Sequence, residues 1–304
     1  MALITSVDQL RKYLNVVGTF DPDSILPFVN DAQQKYLNRY LGAALLSELD
    51  AFVNANLVPD WEGIPLQMVS VYIRVLLPYV ENPLAAFAFF QAAPSLDIKI
   101  TDSGFAVVST ANLAPASAER VKNFRASMEL TGFDRLESML RFLEANKEHY
   151  PSWVNSEGYS YSTSNFIIHA DMFDQLVPIS QSRLRFQQLR ATMDNVELLQ
   201  IEPVISPGLA REIHKQIQEN SFTDPVKAIL PLIRRATAYL TAGIDIDPKY
   251  KGMGDMYLSK VKKHLDANLE SFPLYAESDC YDAEKTSYSN FNNQEDSSFF
   301  VFGS

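Results

Sequence analysis

Cysteine is almost absent from this sequence. Cys280 stands alone among 304 residues, which excludes an internal disulfide framework and any metal site built from cysteines. Cations are scarce too: Lys and Arg number 26 against 37 Asp and Glu, a formal net charge of −11. A protein whose main task is gripping nucleic-acid phosphates needs the opposite balance, with its cations clustered. No stretch approaches the run of about 18 apolar residues that a membrane helix needs. The densest, residues 69–90, is broken by Arg74, Glu81, Asn82 and two prolines, so no membrane span is expected. The opening MALITSVDQLRKYL lacks an apolar run behind a basic end, so no secretory signal is expected there either.

Catalytic signatures are missing as well. There is no phosphate-binding G-x-x-x-x-G-K, no G-x-G-x-x-G, no G-x-S-x-G and no H-E-x-x-H. Lys251-Gly-Met-Gly254 reads as a turn. His149, His169, His214 and His264 are scattered without ligand spacing. Asp21-Pro-Asp23 and Asp245-Ile-Asp247 lack the other oxygen ligands and the glycine of a calcium loop, so they read as caps and turns. Cys280 stands among acids, unlike the cationic setting that activates a nucleophilic thiol. The expectation is a protein that is not an enzyme, with no catalytic, cofactor or metal residue.

What is present is a core. Apolar residues make up 47% and charged residues 21% of the chain, enough to fold as a globular protein. Ser6-Val-Asp-Gln9 is a capping-box pattern that starts a short helix through Leu10 and Leu14. Ile25, Phe28, Val29, Ala32, Tyr36, Leu37 and Tyr40 recur at spacings of three and four and predict a second helix. Gly42 reads as a break, after which Leu45, Leu49 and Phe52 resume the period. In 66–93, Pro78 and Pro83 predict two helices or one kinked helix, with Pro83 near a first turn. Ile98, Ile100, Phe105 and Val107 alternate around Thr-Asp-Ser-Gly, a hairpin signal over about 97–109. From Ser117 to Lys147 the helical period returns, with Gly132 as a break or kink. Residues 150–165 read as a loop, and Met253 to Ser271 as a helix.

Beyond that loop the same order begins again. Ile4-x-x-x-Asp8-x-Leu10 is echoed by Ile167-x-x-x-Asp171-x-Phe173, and Leu45-Leu-Ser-Glu-Leu49 by Leu209-Ala-Arg-Glu-Ile213. Leu77-Pro78-Tyr-Val80 is echoed by Leu230-Pro231-Leu-Ile233. The separations are 163, 164 and 153 residues, nearly constant and in order, which predicts an internal duplication. The fold expected is mainly α: a helical bundle with a small β-hairpin, two related helical units in tandem (1–150 and 151–276) and an extended C-terminal arm, 277–304. The arm holds six acids and one lysine, too polar to fold by itself. Yet it carries Tyr288, Phe291 and the run Phe299, Phe300, Val301, Phe302, which predicts docking on another protein, since each large side chain buried is worth about 1.5–3 kcal/mol. Arg183 and Arg185, with Arg190, read as solvated faces or as a docking patch for an acidic neighbour, and Lys260, Lys262, Lys263 and His264 likewise. The hairpin residues Ile98, Ile100, Phe105 and Val107 read as a contact to another subunit or as a cap on their own bundle.

The opening resembles a known family. Leu10-Arg-Lys-Tyr-Leu14, an acidic turn at Asp21 to Ser24, and a helix with Asp31-Ala32 ending Tyr36-Leu-x-x-Tyr40-Leu-Gly42 resemble the start of the head-to-tail connector (adaptor) proteins of tailed bacteriophages. The whole chain is similar to a larger, duplicated version of that plan from phages and prophages of gut bacteria. The resemblance implies a structural ring subunit, 12 copies in the family, that joins the portal to the tail or neighbouring ring proteins at the head–tail junction of the virion. It implies assembly in the host cytoplasm, with DNA passing through the ring without specific binding, no membrane and no cofactor. An acidic wall suits such a conduit, because it repels phosphate. A non-viral helical scaffold using the arm as a binding peptide is the alternative.

Overall fold

The computed structural model describes residues 3–14, 24–57, 69–96, 98–101, 104–107 and 117–281. Among these the chain is mainly helical and forms two compact units, residues 3–164 with Ile168–Gln188, and Asn165–Ile167 with residues 189–281. The expected boundary at 150/151 falls inside the first unit instead. Residues 150–165 read as a loop because they are rich in Ser, Tyr, Gly and Asn. They form two short helices, α6 (Pro151–Val154) and α7 (Glu157–Ser162), started by Pro151 and by a Ser156 side-chain cap.

In the first unit, α1 (Val7–Tyr13) starts at the expected capping box: Ser6 Oγ accepts from the Gln9 N–H, and Gln9 Oε1 accepts from the Ser6 N–H. Its far end is tied to the core by Tyr13, whose hydroxyl donates to buried Glu81 at 2.7 Å. Burial holds the Glu81 carboxyl above the usual carboxylate range. Next come α2 (Leu26–Ala32), one π turn (Gln33–Leu37) and α3 (Asn38–Leu57). The π turn presents Gln33 inward, where Oε1 accepts the buried Leu3 N–H at 3.1 Å. Gly42 is the expected break: its φ of 74° kinks α3 and favours glycine, and a Cβ there would lie 2.5 Å from Ser156 Cβ, which excludes a side chain.

Helix α4 (Val69–Ala92) follows the single-helix alternative. It runs through Pro78 and Pro83 as one helix, so Pro83 is interior rather than in a first turn. The packing of Ile73, Leu76, Val80, Leu84 and Phe87, all buried, offsets the roughly 3 kcal/mol that an interior proline costs. Residues Val71–Ala92 are long and apolar enough to cross a membrane, yet 61% of that stretch is buried within the protein. Helix α5 (Ala118–Ala145) is unbroken at Gly132. There the glycine serves close approach: a Cβ would stand 2.5 Å from the Phe87 ring, which itself stacks on Tyr36 at 4.2 Å. Between α4 and α5, two four-residue strands, β1 (Ile98–Thr101) and β2 (Gly104–Val107), pair antiparallel. Trp153 of α6 is buried and donates Nε1–H to the Tyr40 carbonyl at 2.8 Å, across 113 residues of sequence. Trp153→Phe removes that bond and, because phenyl is smaller than indole, leaves a small cavity in the core. The expected loss is about 2–4 kcal/mol of unfolding free energy, read from urea denaturation. The first unit also holds α8 (Ala170–Asp174) and the start of α9 (Arg183–Val196).

The second unit takes the rest of α9, a π turn (Glu197–Ile201), α10 (Glu202–Ile205) and α11 (Pro207–Glu219). Then come α12 (Asp224–Asp245), α13 (Lys251–Ala267) and α14 (Pro273–Ala276). Ser206, between α10 and α11, has φ 76° and caps α11 through the Leu209 N–H. Lys251-Gly-Met-Gly254, read as a turn, is the first turn of α13. Its buried Gly254 lies against Leu240 of α12.

Candidate functional site

Half of the residues expected to make contacts fall outside what is described. Tyr288, Phe291, Phe299, Phe300, Val301 and Phe302 lie beyond residue 281. The strand pair brings Ile98 opposite Val107 and Ile100 opposite Phe105. Arg183 needs correction: it is not a docking residue but fully buried. Its Nη1 donates to Glu137 Oε2 at 2.9 Å and to the Ile168 carbonyl at 3.3 Å, and its guanidinium lies 5.1 Å from the Phe186 ring centroid. Arg190 is buried too. Arg185 is half-buried and donates to Gln188 at 3.1 Å.

Glu137 is the hub of a buried charge cluster in the first unit. Besides Arg183, it accepts from Arg141 Nε at 3.3 Å and from the Ala170 N–H at 3.1 Å. Arg141 also reaches Asp171 at 2.8 Å, and His169 Nε2 meets Glu144. Its carboxylates face Arg141, Arg183 and His169, an arrangement that fastens the start of α8. Among the described residues, no group of three or more His, Cys, Asp or Glu is placed to hold a metal ion.

The second unit buries a different pair. Glu197 opens the π turn and accepts the Phe166 N–H at 3.0 Å, while His214 Nε2 stands 3.7 Å from Glu197 Oε2. His214 stacks on Phe166 at 4.2 Å. Arg234 donates to the Phe166 carbonyl at 2.8 Å. Burial pushes the Glu197 carboxyl up to about 8 and the His214 imidazole down to about 4. Desolvation disfavours the charged form of each, so both are neutral at pH 7.

The surface is where the chain leaves chemistry unspent. On α4, Val71 is 55% exposed, Val75 47% and Tyr79 40%, at successive spacings of four, with Tyr72 beside them. Such spacing places them in one row on one side of the helix. Tyr72 is braced by His149 and Tyr79 by Phe142, each stacked face to face, so the row is presented rigidly. In the second unit, Leu198 and Leu199 are exposed on the π turn, and Met253 and Met256 on α13. These residues do not come from a recognisable motif. The spacing of four along α4 is visible in the sequence, but which side faces outward, here as for the others, depends on packing.

A family of unknown function, DUF6712, matches residues 28–163 and 245–285, together more than half of the chain. The chain belongs to this family. The first DUF6712 stretch takes in the α4 row and reaches through α7, and the second takes in α13 and α14. Arg183, Glu197 and His214 lie outside both DUF6712 stretches. No curated protein and no solved structure matches the chain.

Proposed function

We propose that the chain is a structural subunit of a connector ring at a phage head–tail junction, built from two related helical units in tandem. It would contact its own copies, the portal protein and the tail, around a channel through which DNA passes without specific binding. The observation that carries the reading is the α4 row: a core helix leaves Val71, Val75 and Tyr79 uncovered on one side. A closed ring requires such a surface, because each subunit meets its neighbour through unlike faces. The opening pattern resembling phage connectors supports the same reading, as does the acidic balance suited to a conduit. The strand pair β1–β2 is a second element available for contact with a neighbour or the portal.

The tandem reading is supported within each unit. The π turns begin at Gln33 and Glu197, 164 residues apart, and each first residue accepts a backbone N–H, from Leu3 and Phe166, 163 residues apart. Gly42 and Ser206, also 164 apart, have nearly the same φ, 74° and 76°. Asn146 to Ser156 and Asn268 to Ser278 share Asn-x-Glu-x-aromatic-Pro-x-aromatic-x-x-Ser. In both, the Asn side chain donates to the carbonyl four residues back, Phe142 or His264. In both, the Ser hydroxyl donates three residues back, to Trp153 or Tyr275.

Val75→Asp tests the ring reading. A carboxylate placed in an apolar contact is costly to desolvate, while an exposed site tolerates it in the isolated chain. The expected result is dissociation of the assembled species in analytical ultracentrifugation with an unchanged helical circular dichroism spectrum. Assemblies of unaltered mass would remove α4 from the contact.

A further inference from the structure

Three tyrosines of the second unit form a ladder between α12 and α13. Tyr239 stacks on Tyr250 at 6.0 Å and on Tyr257 at 5.7 Å, with the planes within 20° of parallel. Cations flank the ladder: Arg235 lies 5.7 Å and Lys260 4.7 Å from the Tyr257 ring centroid, and Lys249 lies 5.1 Å from that of Tyr250. Asp247 neutralises Lys249 at 2.7 Å, and Thr192 donates to Asp245. Among the described residues, Lys260 forms no ion pair with a carboxylate. Met253 and Met256 are exposed on the same stretch of α13, and Ile244 and Ile246 at the end of α12. The surface is therefore cationic, aromatic and rich in flexible sulfur side chains, a combination suited to gripping aromatic residues in an acidic peptide.

We propose that this surface is the receptor for residues 282–304 of a second copy of the chain. The charges are complementary. Residues 235–263 hold Arg235, Lys249, Lys251, Lys260, Lys262 and Lys263 against Asp245, Asp247 and Asp255, a net positive stretch in a protein of net charge −11. Residues 282–304 hold Asp282, Glu284, Glu295 and Asp296 against Lys285 alone. The apolar chemistry matches as well. Tyr288, Phe291, Phe299, Phe300 and Phe302 are the aromatic groups that the methionines and the ladder accommodate, and the four acids of the segment meet Arg235, Lys251 and Lys260. Reach is sufficient: the 23 residues after Tyr281 span up to about 75 Å when extended, enough to cross to a neighbour. The inference rests on the reading that copies of this chain assemble, and it assigns which surface receives the arm.

A photoreactive phenylalanine analogue at position 302 of the full-length chain tests it, in a mixture of isotopically heavy and light protein. The expected result is crosslinks from position 302 to residues 235–260, about half of them joining heavy to light chains. In the full-length chain carrying Arg235→Glu and Lys260→Glu, both away from the core, the yield at that surface should fall at least fivefold. Crosslinks that map elsewhere, that never join heavy to light, or that ignore the charge reversal would overturn the proposal. Its failure is separable from failure of the ring: symmetric particles with crosslinks elsewhere refute the receptor alone, and heavy-to-light crosslinks at the ladder without symmetric particles refute the ring alone.

Discussion

Glu197→Gln is expected to abolish a loss of stability that the wild-type chain shows between pH 6.5 and 8. The folded protein holds the Glu197 carboxyl protonated up to about pH 8, whereas an unfolded glutamate ionises near pH 4.3. Between those values the folded state binds the extra proton, so stability falls as pH rises. His214 works in the other sense: with a folded value of about 4, the unfolded state binds the extra proton between about pH 4 and 6.5, and stability rises there. The two slopes oppose each other below pH 6.5. Above it Glu197 dominates, with a slope of up to about 1.4 kcal/mol per pH unit that halves near pH 8, for a net loss of about 1 kcal/mol from pH 6.5 to 8. Glutamine keeps the acceptor for the Phe166 N–H and cannot ionise. The first unit already places glutamine at the corresponding point of its π turn, as Gln33. Urea midpoints at pH 6.5 and 8 check this. A wild-type midpoint that does not fall, or a variant that falls equally, would show that Glu197 is ionised when folded.

Arg183→Met should destabilise the chain by about 3–5 kcal/mol, because removing one partner of a buried ion pair strands the other. Glu137 would keep Arg141 at 3.3 Å and the Ala170 N–H, but it would lose its one fully buried cation. The methionine fills much of the space left and holds the contact with Phe186. Adding Glu137→Gln removes the stranded charge while retaining an acceptor for Ala170. The double variant is therefore expected to recover at least half of the loss, a coupling that a double-mutant cycle measures directly. Additive losses would mean that the two side chains act independently and that the pair is not the fastening described above.

The helices were legible where local chemistry decides them. The capping box at Ser6 and Gln9 and the break at Gly42 follow from neighbours in sequence and stand where the pattern put them. Tertiary packing overrode local signals elsewhere. Pro78 and Pro83 did not divide α4, because that helix is held by its buried face. Gly132 did not break α5, because it makes room for Phe87. The polar composition of 150–164 hid two helices fixed by Pro151, Ser156 and the Trp153 bond to Tyr40. Arg183 looked like a surface residue since its partner Glu137 is 46 positions away, a distance no spacing rule covers. The repeat of Asn146–Ser156 at Asn268–Ser278 was available as a sequence signal, and it is the match with the most side-chain chemistry in common. Tyr239, Tyr250 and Tyr257 carry no motif; only the folding of α12 against α13 stacks them.

Single-particle averages of the purified full-length chain, alone and mixed with a phage portal protein, test the central claim most directly. The account predicts top views with rotational symmetry around an open centre, in one of the two preparations at least. Solitary particles of about 34 kDa in both would contradict it.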